Sequence, residues 1–339
     1  MRFGVSYFGV RHPRHMQYDL EDMARLGFDY VVLTFSENDH RFYQGSMATC
    51  VQLARQCGLE VWIDPWGVGG IFGGEAFTER GAWELEAQQR RSDGRPLPLL
   101  CLNSTQVRAY LRQWLTTVAE VLQAKTIFWD EPHFYLPLGE ARQQGLWSCC
   151  CPRCQTDFKA RYGYTMPPEE TPDVRQWKQA VMAAFIDEVT AIATSYGLHN
   201  VVCVLPDHDA PETLQAKLQR FAANPHLHVL STDPYPLWHR QPIETTGRFC
   251  QALLRACQGA GKSAQMWIQG FRIGAGQEDL IGEEMRLMAA CGVRDIAIWS
   301  YLATAYMSSH ACADAARVWD VFTHTMRALR QLPSQAGNG

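Results

Sequence analysis

Two adjacent carboxylates, Asp130 and Glu131, end an apolar and aromatic run that begins at Lys125. Such a run is typical of a fully buried strand, and Pro132 directly after the acids cannot continue a ladder of backbone hydrogen bonds. In a parallel α/β protein the carboxyl ends of the strands form the ligand-binding face. The two acids are therefore placed for chemistry, although a helix cap or an ion pair would also use an acid at a strand end.

A further acid, Asp233, ends another apolar run, and Pro234 fixes the direction in which the chain leaves that run. Cleavage of a glycosidic bond uses two carboxyls, one protonated to assist the leaving group and one ionised as a nucleophile or a water-activating base. We predict that Glu131 is the acid, because the adjacent Asp130, aromatic neighbours and partial burial favour its protonated form. Asp233 is then the nucleophile or the base.

The elements that must position these acids alternate along the whole chain between strand-like and helix-like segments. Eight such strands predict a (β/α)₈ TIM barrel, an α/β fold, rather than an open sheet. We expect a single barrel domain over residues 1–330, with a cysteine-rich insertion at 136–173 after the fourth strand and a flexible tail at 331–339. The predicted strands are 3–8, 30–36, 59–64, the run from 125, 200–207, 228–233, 264–269 and 295–301.

Other polar and aromatic residues near the predicted strand ends are candidates for binding a sugar. Aromatic rings stack on the C–H face of a sugar, and polar side chains bind its hydroxyls. Each can instead serve packing or support a neighbouring residue. The predicted substrate contacts are Glu37, Asn38, Asp64, Trp66, His133, Asp207, Tyr235, Trp267, Gln269, Arg272, Trp299 and Tyr301. The glycine-rich loop 65–74 lacks the P-loop and dinucleotide patterns, and we predict that it is a lid or a closely packed corner.

Cysteines with metal-ligand spacing form a second candidate site. Cys149, Cys151 and Cys154 give a C-x-C-x-x-C array on an irregular turn, where three thiolates can converge. A structural zinc site needs four ligands, and Cys101 is the candidate for the fourth. In a reducing compartment such spacing favours a metal over a disulfide, while buried free thiols, with Cys150 as a spare, are the alternative. We expect a structural Zn²⁺ and no organic cofactor.

The order of these features resembles family 42 glycoside hydrolases, the β-galactosidases of the retaining (β/α)₈ superfamily. The resemblance rests on Cys101-x-Asn-Ser, a helix, a strand ending in an acid pair, and then Cys149-x-Cys-x-x-Cys154-x-x-x-Phe-x-x-x-Tyr162-Gly163. It implies zinc at the four cysteines and the general acid/base role for Glu131. It is specific over residues 101–163 and only architectural elsewhere.

Two positions depart from that family. The family has Asn before its acid/base, where this chain has Asp130, and its nucleophile is a glutamate ending strand seven, where this chain has Gln269 without a carboxylate. We therefore predict a relative within the barrel glycosidases rather than a β-galactosidase. Another arrangement also fits: α-glycosidase barrels that resemble galactosidase-type enzymes use an Asp ending strand four as nucleophile and an Asp on strand six as acid/base. That arrangement would pair Asp130 with Asp233.

Two other functional classes of protein are compatible with the predicted barrel fold. A metal-dependent isomerase or aldolase would use His12, His40, His133 or His208 beside the strand-end acids, but the sequence lacks a tight metal-binding motif. A non-catalytic sugar-binding barrel is consistent with the missing strand-seven glutamate. Sequence leaves open the sugar, the anomer, the linkage and the choice between retention and inversion.

Composition and charge exclude some partners. The net charge is −4 with 19% charged residues, so no basic stripe is present for nucleic acid and no polybasic anchor for a membrane. The N-terminus enters a strand pattern without a secretory leader, so we expect a cytoplasmic protein acting on short imported glycosides. The partner is therefore a carbohydrate substrate. The oligomeric state stays open, and a homo-oligomer is compatible with the sequence.

Overall fold

The computed structural model describes residues 1–206 and 211–331, without the side chains of residues 211 and 212. Eight parallel strands close into a barrel in the order β1-β10-β9-β8-β7-β6-β3-β2, which confirms the predicted (β/α)₈ fold. The barrel strands are β1 (Arg2–Tyr7), β2 (Tyr30–Thr34), β3 (Glu60–Asp64), β6 (Thr126–Trp129), β7 (His199–Val204), β8 (Val229–Thr232), β9 (Ser263–Gln269) and β10 (Asp295–Trp299).

Helices cover the outside of the barrel and bury one face each. In the first helix, Pro13–Leu26, the residues Met16, Leu20 and Met23 recur at helical spacing and are buried, so this face of the helix packs against the strands. It begins at a proline and ends at Gly27, whose φ of 101° is a left-handed helix cap. The helices are α1 (Pro13–Leu26), α2 (Glu37–Phe42), α3 (Gln44–Gln56), α4 (Glu79–Trp83), α5 (Thr105–Thr116), α6 (Gly139–Gln143), α7 (Pro152–Tyr162), α8 (Pro172–Ser195), α9 (Pro211–Ala222), α10 (Thr246–Ala260), α11 (Glu278–Cys291) and α12 (Ala315–Gln331).

Large side chains fill the interior of the barrel toward the amino ends of its strands. The rings of Tyr30 and Trp62 stack with centroids 4.0 Å apart. The Tyr30 hydroxyl donates to Asp295 Oδ1 at 2.5 Å and accepts a hydrogen bond from Gln265 Nε2 at 2.6 Å. Phe128 and Trp267 lie in the same interior cluster. The amino end of the barrel is thus closed, and open space inside it lies toward the carboxyl ends of the strands.

A short antiparallel hairpin, β4 (Gln88–Arg90) with β5 (Pro96–Leu100), interrupts the connection between β3 and β6. The sequence patterns did not predict it. The backbone N–H of Cys150 donates to the carbonyl of Arg90 at 2.7 Å, so the cysteine-rich insertion is tied to this hairpin. The two longest loops on this side of the barrel therefore form one unit. None of the helices described is long and apolar enough to cross a bilayer.

Candidate active site

A cavity of about 450 Å³ opens at the carboxyl ends of the barrel strands. Asp64 is the last residue of β3, Asp130 and Glu131 follow β6 directly, and Asp233 follows β8 directly. Parallel strands bring their carboxyl ends to one rim, so acids far apart in the chain face one space. The cavity is lined by the carboxyl-bearing residues Asp64, Glu75, Asp130, Glu131 and Asp233.

Burial and mutual repulsion set the protonation of these acids. Burial, reinforced by the neighbouring carboxyls, raises the pKa of Asp64, Asp130 and Asp233 well above the ordinary value for aspartate. In the part of the chain that the structure describes, no lysine or arginine is among the main causes of these shifts. Each aspartate therefore holds a proton more firmly than a carboxyl in water does.

A side-chain interaction with Glu131 raises the pKa of Asp233 further. Two ionised carboxyls close together repel, so the neighbouring acids favour the protonated form of Asp233. The Cys203 thiol donates to Asp233 Oδ1 at 3.6 Å and opposes this rise in the pKa. Asp233 can therefore serve as a proton donor, and the roles of Glu131 as the acid and Asp233 as the nucleophile or base stay predictions.

Asp130 interacts electrostatically with Asp233 and raises its pKa. Its carboxyl lies against Gly73 of the β3–β6 loop, where a Cβ atom would come within 2.4 Å of Asp130 Oδ2. The Gly73 backbone N–H donates to the Asp130 carbonyl at 2.9 Å. Glycine at position 73 thus allows the loop to approach Asp130 closely and fix it.

Aromatic side chains form the walls of the cavity and hold one another in place. Trp299 stacks on Phe8, with ring centroids 5.1 Å apart, and Phe8 stacks on Trp66 at 5.3 Å. Phe271 meets Trp299 edge to face at 5.1 Å. Offset and edge-to-face rings of this kind give a rigid apolar surface. The aromatic residues that line the cavity are Phe128, Tyr235, Trp238, Trp267, Phe271 and Trp299.

Three buried polar atoms on cavity-lining residues have no hydrogen-bond partner among the described residues: Ser6 Oγ, Asp64 Oδ1 and Trp267 Nε1. Their side chains are between 2% and 6% exposed. Buried polar groups in native proteins almost always have a partner, so these atoms await one from a ligand or water. The cavity is thus polar at its base as well as at its acidic rim.

Glu75 and His310 are cavity residues that the sequence patterns did not indicate. His310 Nε2 lies 3.3 Å from Glu75 Oε1. Burial raises the pKa of Glu75 and lowers the pKa of His310. Gly74, before Glu75, has a φ of 103°, and a Cβ there would lie 1.5 Å from Trp66. Only glycine fits at this bend, and the bend at Gly74 places Glu75 in the cavity. The glycine-rich pattern of the loop was the sequence signal that could have indicated Glu75.

Several predicted contacts lie outside the cavity lining. The carboxylate of Glu37 accepts hydrogen bonds from the backbone of Gly69, the backbone of Arg80 and the Thr78 hydroxyl, each at 2.8 Å. Glu37 therefore stabilises the β3–β6 loop through these hydrogen bonds. Asn38 donates to Glu79 at 2.8 Å on the same side.

Other predicted substrate contacts, at or beyond the carboxyl ends of β3, β6, β9 and β10, also lie outside the cavity lining and contact other parts of the protein. His133 Nδ1 lies 2.6 Å from the Glu131 carbonyl. Gln269 uses its amide to hold the backbone of Phe271 and Trp238. The remaining three predicted contacts outside the lining are Trp66, which lies behind Phe8, Arg272, which donates to the Ser309 carbonyl, and Tyr301, which donates to Asp22. Asp207 and His208 lie outside the described residues.

The four predicted metal ligands come together beside the hairpin. The Sγ atoms of Cys101, Cys149, Cys151 and Cys154 all lie within 4.8 Å of one another, and all four residues are buried. Cys101 is 3.4 Å from Cys154 and 3.6 Å from Cys151. A tetrahedron with Zn–S bonds of about 2.3 Å has sulfurs roughly 3.8 Å apart. The set therefore has the donors and spacing to bind a metal ion, and Cys150 is not part of it.

No protein-family model matches the chain, and no curated protein matches its sequence. Solved structures match its fold. An endo-β-1,4-mannanase from Thermotoga petrophila is 8% identical, with a TM-score of 0.58 over 99% of this chain and 78% of that one. An endocellulase from Pyrococcus horikoshii is 12% identical, with a TM-score of 0.56 over 97% and 92% of the two chains. A D-psicose 3-epimerase from Clostridium cellulolyticum H10 is 12% identical, with a TM-score of 0.51 over 97% and 98%.

These likenesses show that the chain shares the (β/α)₈ fold with glycoside hydrolases and with sugar epimerases. At this sequence identity they show the fold alone, because one fold supports many different chemistries. The resemblance to family 42 rests on the sequence pattern of residues 101–163.

Proposed function

We propose that this protein is a glycoside hydrolase that cleaves a small glycoside or short oligosaccharide. The observation that carries the proposal is that Asp130 and Asp233 line one aromatic-walled cavity, where burial and neighbouring carboxyls raise the pKa of both. An aromatic wall beside carboxyls suits a sugar, because rings cover its C–H face while acids meet its hydroxyls. Glycoside hydrolases among the structural neighbours are consistent with this proposal.

In the proposed mechanism Asp233 gives its proton to the glycosidic oxygen as the bond to the anomeric carbon breaks. Asp130 in its ionised form either attacks that carbon directly or takes a proton from a water whose oxygen attacks it. Glu131 raises the pKa of Asp233 and so favours its protonated form.

The electrostatics of the site favour Asp130 over Glu131 as the second carboxylate. The two carboxyls of a glycosidase lie about 5 Å or more apart, to admit the scissile bond. Glu131 has the larger effect on the pKa of Asp233 and acts through a side-chain hydrogen bond as well as through its charge, whereas Asp130 acts through its charge. This is the arrangement of an Asp after strand four with an Asp after strand six.

A second candidate is a sugar epimerase or isomerase, favoured by the same contact between Glu131 and Asp233. A carboxylate can remove a proton from a carbon next to a carbonyl, and the second carboxyl can give a proton to the opposite face of that carbon, which yields the epimer, or to the neighbouring carbon, which yields the isomer. Free ketoses incubated in D₂O distinguish this candidate, because deuterium would enter the sugar at carbon without any glycoside being cleaved.

A panel of aryl glycosides and short oligosaccharides tests the main proposal with wild type, Asp233→Asn, Asp130→Asn and Glu131→Gln. Glu140→Gln is the control, because Glu140 is exposed on α6. Wild-type turnover that falls at least about 100-fold in both aspartate variants, with the fold retained, supports the proposal. Sugar binding without turnover of any glycoside, unchanged in all variants, would instead leave a non-catalytic binding barrel.

We also propose that the four cysteines hold a structural Zn²⁺. Their geometry fits four thiolate ligands with no open position, as in closed structural sites. Asn103 Nδ2 lies 3.6 Å from Cys154 Sγ and would donate to that thiolate. The ion would join the hairpin to the cysteine-rich insertion, the two loops that frame the cavity.

A further inference from the structure

The charges around the cavity point to a particular class of sugar. Five carboxyl-bearing residues line it, and among the described residues its lining contains no lysine, arginine, asparagine or glutamine. Arg272, which follows β9, donates to the Ser309 carbonyl and lies over Trp238, with its guanidinium carbon 4.7 Å from the ring centroid. Glu75 has His310 Nε2 at 3.3 Å and interacts electrostatically with Arg272. For Asp64, Asp130 and Asp233, no lysine or arginine of the described residues is among the main electrostatic influences.

Hydrogen-bonding capacity gives a second argument. A sugar hydroxyl both donates and accepts, whereas an ammonium group offers three donors and no acceptor. The five carboxyls of the lining offer acceptor oxygens, including the buried and unpartnered Asp64 Oδ1. The lining also contains neutral donors, on a serine, a tyrosine, tryptophans and two histidines, and among them Trp267 Nε1 is unpartnered. An ammonium group can therefore be met by Asp64 and the neighbouring carboxyls while the sugar hydroxyls use the neutral donors.

The aromatic walls favour an organic cation over a metal ion. Phe128 and Trp267 meet at 5.2 Å between ring centroids, and Tyr235 and Phe271 meet edge to face at 5.2 Å. Ring faces attract an ammonium group, while a divalent ion needs several converging oxygens. In the described part of the chain, the cysteine set is the one group of three or more potential ligands whose donor atoms lie within 4.8 Å of one another.

Resting on the proposed hydrolase function, we propose that the sugar unit bound in this cavity carries a protonated amine, so that the substrate is a glycoside of an amino sugar with a free amino group. The ammonium lies among Asp64, the neighbouring acids and the faces of the aromatic walls. Its charge also favours ionisation of Asp130, the form in which that group attacks or activates water.

Calorimetric titration tests this proposal without relying on turnover. The probes are glucosamine, galactosamine and mannosamine, each beside its parent hexose and its N-acetyl derivative, which lacks the charge. We expect at least one amine to bind about 10- to 100-fold more tightly than both neutral partners. In Asp64→Asn the ratio should fall toward one, while Glu140→Gln should keep it.

Equal or tighter binding of the neutral sugars, or no binding of any amine, would overturn the amino-sugar assignment. Stoichiometric binding of Mg²⁺ or Mn²⁺ that disappears in Asp64→Asn would also overturn it, since the balancing charge would be a metal. The two proposals fail separately. Hydrolysis of neutral glycosides without an amine preference refutes only the substrate class, whereas amine binding without hydrolysis of any glycoside refutes only the hydrolase.

Discussion

A buried carboxyl far from the cavity, Glu284 on α11, gives a stability prediction whose size follows from the structure. Glu284 is 1% exposed; the Thr246 hydroxyl donates to its Oε1 at 2.7 Å, and its Oε2 has no partner among the described residues. Burial raises the pKa of Glu284 from 4.5 to about 8, although the Thr246 hydrogen bond opposes the shift. We predict that Glu284→Gln, which removes the ionisable group while keeping its shape, stabilises the protein at alkaline pH.

The sign follows from proton linkage. Because the pKa of Glu284 is higher in the folded state, that state binds more protons between pH 4.5 and 8, and the free energy of unfolding falls as pH rises. At about 1.4 kcal/mol per pH unit, the loss between pH 5 and pH 8 is on the order of 4 kcal/mol and is absent from the variant.

Urea unfolding from pH 5 to pH 9 measures this difference. Wild type and Glu284→Gln should be nearly equal at pH 5 and separate above pH 6, with the variant more stable. Glu283→Gln is the matched control, because Glu283 is exposed one residue earlier. Parallel pH dependence in wild type and Glu284→Gln, or a variant that is less stable at pH 8, would refute the reasoning.

Two further predictions concern the cysteines and the Gly73 loop. Purified protein should contain one zinc per chain by elemental analysis; Cys151→Ser should lose the metal and lower the melting temperature, whereas Cys150→Ser, outside the set, should keep both. Equal metal content in the two variants would contradict the assignment. Gly73→Ala should lower kcat by about 10- to 100-fold, because its Cβ would lie 2.4 Å from Asp130 Oδ2 and displace that carboxyl. Gly45→Ala, with no atom within 4 Å of the new Cβ, should leave kcat unchanged, and equal activity of the two glycine variants would contradict this role for Gly73.

Much of the fold was predictable because barrel strands are buried on both faces and read as continuous apolar runs. All eight predicted runs are barrel strands, and the acids at their ends, Asp64, Asp130 and Asp233, lie at one rim as parallel strands require. The convergence of Cys101 with the later cysteines was also readable, because three of the four lie within six residues of one another.

Loop geometry was not predictable in the same way. The strands of the hairpin at 88–100 are short and the second contains two prolines, so they give no strand periodicity. Glu75 and His310 reach the cavity from loops, whose direction no strand pattern sets. Tyr301 was predicted as a substrate contact because it ends the predicted strand 295–301, but β10 ends at Trp299, so the alternation of faces stops there.

The protonation pattern also needed the structure. Sequence placed Asp130 and Glu131 side by side without showing which one touches Asp233. Both residues raise the pKa of Asp233, and the assignment of acid and base among these three residues stays a prediction.

The role of Asp233 as proton donor is tested most directly by the leaving-group dependence of Asp233→Asn. Substrates that share one sugar but differ in leaving group, from dinitrophenol to an alkyl alcohol, should be compared with wild type. An enzyme without its acid should lose about 10²- to 10⁴-fold in kcat/KM on the alkyl glycoside and far less on the dinitrophenyl glycoside, which departs without a proton. An equal loss on every leaving group, or no loss at all, would contradict the assignment of Asp233 as the catalytic acid.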